Sequence, residues 1–344
     1  MHVVVTGGAG FIGTHLCAAL VSRDCQATAV DDLRAVDTLS LPAEATLVRA
    51  DVTDSSLTLP PCDAVVHLAA DPAECRSNFC PAYNTYQGAY ATANVLRAAV
   101  LAGAKRFVFG SSVAVYGHGD PPHQSLGDAL SFNTEAAPCY PTDVYGANKL
   151  ASEHIAQAVC AVQDLSLAIV RMHNVYGPGQ SFSDPYRNVV ALWMRAALER
   201  KEATIYAGHW RQFTYVGALA PALAALVTGT FEGVLDLGDN TVTSIERLAS
   251  RICALTEGRL TVATLPPRPR EVPFSVCNHD LMYRTLEIAG SCSWQAVPLE
   301  TGLEETWAAA FATYGKTGKR LPRLRSLPVE IGRDKLPTNW RRLK

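Results

Sequence analysis

The chain lacks the features that mark membrane, nucleic-acid-binding and disulfide-stabilised proteins. No apolar run reaches the roughly 18 to 20 residues that span a bilayer, and a formal net charge of −2 gives little attraction to nucleic acid or an anionic membrane. The ten cysteines are scattered, without a Cys-x-x-Cys pair or a zinc-like spacing. We therefore expect a cytoplasmic protein with reduced thiols, no metal site, and neither nucleic acid nor membrane among its partners.

A glycine cluster near the N-terminus is the most informative stretch. The apolar run His2–Val5 leads into Thr6–Gly13, and a helical spacing of apolar residues follows. Strand, glycine turn and helix in this order leave free backbone N–H groups at a helix N-terminus, where a pyrophosphate binds. Gly7 permits the turn, Gly10 lets a ligand approach the backbone, and Gly13 lets helix and strand pack closely.

Two acidic residues follow the next predicted strand. The β-rich run Gln26–Val30 ends at Asp31 and Asp32, at the position where an acidic side chain binds the ribose of a dinucleotide. Such a carboxylate accepts hydrogen bonds from the ribose hydroxyls and repels a 2′-phosphate. Arg34 lies nearby, but two carboxylates outweigh one exposed cation. The sequence therefore favours NAD over NADP.

The rest of the chain alternates strands and helices. This alternation predicts an α/β fold, a Rossmann-type doubly wound parallel sheet with a smaller C-terminal α/β substrate-binding lobe. In such sheets, ligands bind beyond the C-terminal ends of the strands. Further strands are predicted at Ala45–Ala50, Ala64–Ala70, Arg106–Gly110 and Leu167–Val170, with helices at Tyr90–Gly103 and from about Tyr145 to Val162.

Candidate catalytic groups follow the fifth strand. Ser111 and Ser112 stand at its C-terminal end, where we expect their hydroxyls to face the cofactor cleft. Further on, Tyr145 and Lys149 are four residues apart and therefore share one helical face. A nearby ammonium, together with the positive nicotinamide ring of the cofactor, favours the phenolate, so we expect the two charges to lower the tyrosine pKa toward neutrality. Such a phenol takes a proton from a sugar hydroxyl while hydride leaves for the cofactor.

These motifs resemble the NAD-dependent epimerase/dehydratase family of nucleotide-sugar enzymes, within the extended short-chain dehydrogenase/reductases. The similarity runs from His2 to about Leu281 and includes the Arg171–Gln180 stretch. It implies that Ser112, Tyr145 and Lys149 are catalytic and that NAD is tightly bound. The implied cofactor-binding residues are Gly7, Gly10, Phe11, Ile12, Gly13, Asp31, Asp32, Asp51, Val52, Leu68, Ala69, Ala70, Ser111, Tyr145 and Lys149.

The resemblance also implies a site for a nucleotide-diphosphate sugar, most simply a UDP-sugar. Arginines suit the diphosphate because their fixed fork of donors matches phosphate oxygens. The implied substrate-binding residues are Ser112, Tyr145, Asn174, Asn188, Val189, Arg211, Arg268 and Glu271.

The chain departs from the family at residues that decide the reaction. Family dehydratases carry an Asp-Glu pair directly after the catalytic hydroxyl residue, and UDP-glucuronate decarboxylases usually carry a glutamate in the same stretch. Val113 and Ala114 stand there instead and can neither give nor take a proton. The segment before Arg211 is also shorter than the family loop, and Gly217-Ala218 replaces acidic residues, so the sugar remains open.

Three functions are therefore considered. The first is a nucleotide-sugar 4-epimerase acting on a UDP-hexose or UDP-hexuronate through a 4-keto intermediate. The second is an NAD(P)H-dependent 4-ketoreductase of a nucleotide-linked keto-deoxysugar. The third is a non-catalytic NAD-sensing protein, which would have no use for an activated phenol.

Three regions are expected along the chain. Residues 1–173, with a returning segment at about 211–245, form the NAD-binding domain. Residues 174–210 and 246–315 form the nucleotide-sugar-binding lobe, and the basic residues 316–344 form a surface tail. The resemblance implies a homodimer through helices near Tyr90–Ala102 and Leu150–Val162.

Overall fold

The computed structural model describes residues 1–72, 74–119, 123–186, 188–267, 271–280, 282–283, 294–317, 319–325 and 328–332. Among the helices in these ranges, none is long and apolar enough to cross a membrane. The same residues contain no group of three or more His, Cys, Asp or Glu side chains placed to hold a metal ion.

Seven parallel strands form the central sheet. They are β1 His2–Thr6, β2 Gln26–Asp31, β3 Thr46–Arg49, β4 Ala64–His67, β5 Arg106–Ser112, β6 Ser166–Met172 and β10 Gly233–Leu237. Their order is β10-β6-β5-β4-β1-β2-β3, so the chain runs outward from β1 in one direction and then returns to build the other half. This confirms the predicted Rossmann-type sheet and places its topological switch point between β1 and β4.

Helices cover both faces of the sheet, as the apolar character of the parallel strands requires. On one face, α1 (Phe11–Val21) and α8 (Val216–Thr228) bury leucine, valine and alanine side chains against the strands. On the other face, α4 (Ala91–Leu101) and α6 (Val144–Gln163) bury the second core. Gly103, with φ +79°, ends α4 as a left-handed cap.

The helix predicted from Tyr90 is preceded by further helical turns. A short helix α3 (Pro81–Thr85) passes into a π-helical segment at Tyr86–Tyr90 and then into α4. An even shorter helix, α2 (Glu74–Ser77), precedes it. The predicted strand Ala64–Ala70 ends at His67, so Leu68–Ala70 leave the sheet at its C-terminal edge.

The second lobe is built around small sheets and its own apolar core. In one of them, β9 pairs with β7, β11 and β13; in another, β8 pairs with β12. Its strands are β7 Asn174–Tyr176, β8 Glu202–Tyr206, β9 Trp210–Tyr215, β11 Val242–Ser244, β12 Thr261–Leu265 and β13 Phe274–Ser275. Its helices are α7 Val189–Glu199, α9 Ile245–Leu255 and α10 Leu299–Ala310, followed by a π-helical turn at Phe311–Lys316; α5 Leu126–Phe132 lies beside β13.

The pairing of β9 bears on one expected boundary. Trp210–Tyr215 falls largely inside the returning segment of 211–245, yet it pairs with strands of the second lobe. Only α8 and β10 return to the central sheet in this part of the chain, because their buried faces complete the core beside α1 and β6. We propose 216–237 as the returning segment.

Candidate active site

The first turn brings the helix N-terminus close to the strand end, as the glycines predict. Gly7 has φ +68°, and a Cβ there would lie 2.8 Å from the backbone nitrogen of Ala69. A Cβ on Gly13 would lie 2.2 Å from the carbonyl oxygen of Gly7. Gly10 is the N-cap of α1 and offers no side chain to satisfy its first turn, so the N–H groups at Phe11 and Ile12 are left for a ligand.

Asp31 lies at the end of β2 beside this turn. Its carboxylate accepts hydrogen bonds from the backbone N–H groups of Ala9 (3.2 Å) and Leu33 (2.8 Å). Burial raises its pKa despite these bonds. These contacts fix the carboxylate at the C-terminal edge of the sheet, where the sequence predicts an adenosine ribose.

Arg34 joins the other two predicted acidic residues. Its guanidinium pairs with both Asp32 and Asp51. Asp51 also accepts hydrogen bonds from the backbone and hydroxyl of Thr53, at 2.8 and 2.6 Å. The positive charge of Arg34 is therefore already balanced by two carboxylates, which leaves little of it for a 2′-phosphate.

The start of α6 places Tyr145 against the end of β5. Asp143 caps the helix by accepting from the backbone N–H of Gly146 at 2.8 Å. A Cβ on Gly146 would lie 2.7 Å from the carbonyl oxygen of Ala114, so a glycine is needed for this close approach. The Ser112 side chain consequently lies close enough to the phenol to act on its pKa.

Lys149 lies one helical turn further along. Its Nζ donates to the carbonyl oxygen of Gly110 at 2.6 Å and lies 5.9 Å from the centre of the Tyr145 ring. Burial lowers the pKa of Lys149 to about 8, against the opposing effect of Glu153. A partly desolvated ammonium thus sits beside the phenol, as the spacing of the two residues predicts.

The chain's own residues do not lower the Tyr145 pKa. Burial raises this pKa, and the negative charges of Glu74 and Asp143 raise it further. The Ser112 side chain acts in the opposite direction but is outweighed. The expected lowering, which includes the charge of the nicotinamide ring, stays a prediction for the NAD-bound protein. Folding brings the acidic groups to the phenol, so no local pattern in the sequence indicates them.

A recess lies beside Tyr145. Ala69, whose backbone fills the space beside Gly7, lines this recess together with Tyr145 and Lys149. Ala69 therefore contacts the first turn and also lines the recess of the catalytic pair. Its other lining residues are Ala70, Asp71, Asn84, Gly88, Thr92, Asn148 and Ser152.

Ser111 makes a side-chain contact within the chain. Its hydroxyl is buried and donates to Glu153 of α6, the helix that also carries Tyr145. Glu153 also receives two hydrogen bonds from the guanidinium of Arg171, at 3.0 and 2.7 Å. The Ser111 hydroxyl is therefore already paired within the chain, and its contact with the cofactor stays a prediction.

The Arg171 guanidinium continues into a buried polar network behind the site. It donates to the Tyr116 hydroxyl at 2.9 Å, and that hydroxyl donates to Asp236 at 2.8 Å. Burial raises the pKa of Asp236 to about 8, and nearby Glu135 adds to this effect. The network joins β5, α6, β6 and β10 behind Ser112.

Other predicted cofactor residues lie around the same edge. Val52 is buried, and its carbonyl oxygen accepts a hydrogen bond from Asn94 at 2.9 Å. The backbone N–H of Leu68 donates to Thr6 at 3.1 Å, which holds Leu68–Ala70 at the end of β1.

In the second lobe, Arg211 and Glu271 lie near each other. The Nη2 atom of Arg211 lies 3.8 Å from a Glu271 carboxylate oxygen. The guanidinium also donates to the carbonyl oxygens of Val272 (2.8 Å) and Pro273 (3.0 Å). His209 approaches the other Glu271 oxygen at 3.7 Å, a neighbour that sequence reasoning did not assign to the site.

Two predicted substrate residues perform local structural tasks. Asn174 donates to the carbonyl oxygen of Gln212 at 3.0 Å. Asn188 caps α7 and donates to Val175 at 2.7 Å, with Val189 as the first helical residue. Arg268 lies outside the described residues.

The site residues suit NAD: they form a tightly packed glycine turn, a carboxylate placed for a ribose, and a buried phenol–ammonium pair. Comparison with known proteins supports this assignment. The family model for the NAD-dependent epimerase/dehydratase family matches residues 3–235. The chain belongs to this family.

Relatives within the family differ in their reactions. A dTDP-L-rhamnose 4-epimerase of Burkholderia thailandensis is 30% identical and covers 89% of this chain and 94% of its own. A UDP-N-acetyl-alpha-D-glucosaminuronate decarboxylase of Bacillus cytotoxicus is 30% identical over 76% of this chain and 83% of its own.

The fold comparison adds the cofactor. The crystal structure of Thermus thermophilus UDP-glucose 4-epimerase with NAD superposes with a TM-score of 0.77, at 26% identity, over 90% of this chain and 99% of that one. This member of the epimerase/dehydratase family is therefore an enzyme whose cofactor is NAD.

Several residues beside the site were missed from the sequence. Asp71 directly follows the run that ends at Ala70, and Asn148 lies between Tyr145 and Lys149, so their positions gave a signal. Ser77 gave none: it accepts a hydrogen bond from the backbone of Tyr145 at 3.0 Å across a separation of 68 residues.

Proposed function

We propose that this enzyme is a nucleotide-sugar 4-epimerase that acts on a UDP-linked hexose or hexuronate through a transient 4-keto sugar. The observation that carries the proposal is the recess lined by Tyr145 and Lys149, with the Ser112 side chain beside the phenol. The similarity to the rhamnose and glucose 4-epimerases supports the same position on the sugar.

Each residue has a defined task in this reaction. When bound, NAD supplies the acceptor and donor of hydride. Tyr145 takes the proton of the C4 hydroxyl during oxidation and returns it after the keto sugar has turned over. Ser112 holds the same oxygen by a hydrogen bond. Lys149 supplies positive charge that stabilises the phenolate.

The neighbours of Ser112 favour epimerisation over the other family reactions. Dehydration requires groups that remove a proton at C5 and protonate the leaving C6 hydroxyl. Val113 and Ala114, which begin a short 3-10 turn after Ser112, have apolar side chains. They can supply neither group, so the redox cycle at C4 is what the remaining residues support.

Substrate binding is proposed for the second lobe. Arg211 presents a guanidinium held by backbone carbonyl groups, in a form that suits a diphosphate. Glu271, beside it, suits the hydroxyl groups of the nucleotide ribose. The proposed residues for the diphosphate and the nucleotide ribose thus belong to the second lobe, while Ser112 and Tyr145 hold the sugar from the first.

The test is an NMR assay with the purified enzyme and no added cofactor. UDP-glucose, UDP-N-acetylglucosamine, UDP-glucuronate and dTDP-linked 6-deoxyhexoses are incubated separately, and the C4 epimer is expected from at least one of them. Loss of carbon dioxide or water would contradict the proposal. Turnover only of a keto sugar with stoichiometric NADH or NADPH would establish the ketoreductase, and bound NAD without any turnover would favour the sensor.

We also propose a homodimer through α4 and α6, which pack side by side. Leu101 is 73% exposed and Val162 is 80% exposed near the ends of these helices, and Tyr86 and Tyr90 form an exposed stack. Sedimentation velocity should give twice the mass of 36.9 kDa. A single species at the monomer mass would contradict it.

A further inference from the structure

The C-terminal segment lies beyond the family match and makes specific contacts with the first lobe. Its described residues are 319–325 and 328–332, after the π-helical turn at Phe311–Lys316. It starts on the second lobe, where Arg195 of α7 donates to the carbonyl oxygen of Pro322 at 2.9 Å. From there it reaches two loops at the C-terminal edge of the central sheet.

Arg325 forms the first anchor. Its Nη2 donates to the carbonyl oxygen of Ala35 at 2.7 Å, to Asp37 at 3.1 Å and to the Ser181 hydroxyl at 3.1 Å. Its backbone N–H donates to Ser183 at 2.8 Å. One side chain therefore ties the loop that follows Asp31 and Asp32 to the loop that follows β7.

Asp37 is the centre of this anchor. It accepts hydrogen bonds from the Ser181 hydroxyl at 2.9 Å and from the backbone of Phe182 at 2.6 Å and Ser183 at 3.0 Å. Burial alone would raise its pKa, yet the hydrogen bonds from Ser183, Ser181 and Arg325 hold that pKa below its usual range. The carboxylate is thus charged, and Arg325 neutralises it.

These residues also line the pyrophosphate end of the cofactor cleft. Ala35, Asp37 and Ser181 share one recess with Gly10 and Phe11, the residues of the first turn. The contacts of Arg325 therefore set the position of two walls of that recess.

Glu330 forms the second anchor, at the start of α3. Its carboxylate accepts from the backbone N–H groups of Ala82 (2.9 Å) and Tyr83 (2.8 Å) in the first turn of α3. Its own N–H donates to Phe79 at 2.7 Å. The next residue of α3, Asn84, lines the recess that contains Tyr145.

We propose that the described residues 319–325 and 328–332 form a strap across the cofactor site that slows the release of NAD, with Arg325 and Glu330 as its anchors. Because the strap contacts the second lobe, the recess of the first turn and the helix that borders the recess of Tyr145, NAD leaves only after these contacts break. The inference rests on the NAD assignment and is independent of which sugar is converted.

Release of NAD from the purified holoenzyme, without sugar, tests the strap. Protein is separated from free nucleotide at timed intervals, and the NAD that remains bound is measured after denaturation. Arg325→Ala and truncation after residue 318 should speed release by about tenfold or more, the effect of losing one charge-assisted hydrogen-bond set. Glu330→Gln should change it in the same direction by less.

Arg323→Ala is the matched control, since Arg323 is an exposed arginine of the same segment. It should leave the release rate unchanged. Wild-type release from the truncated, folded protein would overturn the proposal. So would a lowered melting temperature in Arg325→Ala without faster release, because that result indicates a structural role alone.

A second measurement needs no variant. If the strap contacts stabilise bound NAD, then bound NAD must stabilise the strap contacts to the same extent. NAD should therefore slow hydrogen exchange at the backbone N–H groups of Arg325, Glu330 and Ile331 in the wild-type protein. Equal exchange in NAD-loaded and NAD-depleted protein would contradict the strap. Neither measurement involves turnover, so a wrong substrate or reaction would not change its outcome.

Discussion

The cofactor end and the sugar end of the site present different groups to their ligands. At the cofactor end, the first turn is made of backbone, and side chains at Gly7 or Gly13 would collide with it. At the sugar end, the surface is made of polar side chains such as Arg211 and Glu271, which come from segments about 60 residues apart in the chain.

This difference explains how one family can keep its cofactor and change its substrate. Backbone donors cannot be replaced by substitution, so any chain with this turn keeps a place for a pyrophosphate. Side chains can be exchanged one at a time. Accordingly, the relatives include a rhamnose epimerase and a glucosaminuronate decarboxylase at equal identity to this chain.

The largest expected effect is a loss of turnover on substitution of Tyr145, whose phenol lies between the two ends. Tyr145→Phe should lower turnover by about 100- to 10,000-fold, the usual contribution of a positioned acid–base group. Bound NAD should be retained, since the first turn is untouched. NMR turnover and the NAD content of denatured protein measure the two quantities separately.

Tyr140→Phe is the matched control for this variant, because Tyr140 is 47% exposed on the loop that leads to α6. It should keep wild-type turnover. If Tyr145→Phe kept turnover as well, the base would have been assigned to the wrong residue.

A side chain added at the first turn should disrupt NAD binding without changing the residues of the sugar end. In Gly13→Ala, the new methyl group would lie 2.2 Å from the carbonyl oxygen of Gly7, so the turn must open. Loss of bound NAD and destabilisation by about 1 to 3 kcal/mol are expected from such overpacking. Urea unfolding and NAD content measure both effects.

Gly127→Ala provides the comparison, since the nearest atom to its new Cβ would lie 3.7 Å away, in ordinary contact. It should bind NAD normally. An unchanged NAD content in Gly13→Ala would mean that the cradle does not depend on the close packing described for it.

A change at the sugar end should leave the cofactor in place. Arg211→Ala should raise the KM for the nucleotide sugar by about 10- to 100-fold, as expected for lost charge-assisted hydrogen bonds. Bound NAD should be unchanged. Steady-state kinetics give the KM, and Arg247→Ala, an exposed arginine of α9, is the control. Loss of NAD in Arg211→Ala would show that the two ends are not independent.

The smallest effect concerns the network behind both ends. Asp236 has a pKa raised from 3.8 to about 8, so the folded state holds its proton more tightly than the unfolded state. Stability is therefore lost as the pH rises through this range. Asp236→Asn should remove that loss and gain about 1 to 2 kcal/mol over wild type between pH 6.5 and 8.

Urea unfolding of both proteins at the two pH values measures this difference. A difference in unfolding free energy that stays constant with pH would contradict the raised pKa of Asp236.

The contrast between the two ends also explains what could be predicted from the sequence. The first turn and the Tyr145–Lys149 pair are local patterns, whose spacing decides their geometry. Arg325 and Asp37, in contrast, are 288 residues apart and meet only because of tertiary packing. The same limit accounts for the Tyr145 pKa, where Glu74 acts from 71 residues away in the chain, and for Ser111, which turns toward Glu153.

The most direct test of the central claim follows the hydrogen at C4 of the sugar. A substrate deuterated at C4 is converted in ordinary water without added cofactor, and the product is analysed by NMR. We predict a C4-inverted product that keeps its deuterium at C4, since Tyr145 moves only the hydroxyl proton and the hydride returns within the site. Loss of deuterium from C4 to solvent, or exchange at C5 instead, would contradict the account.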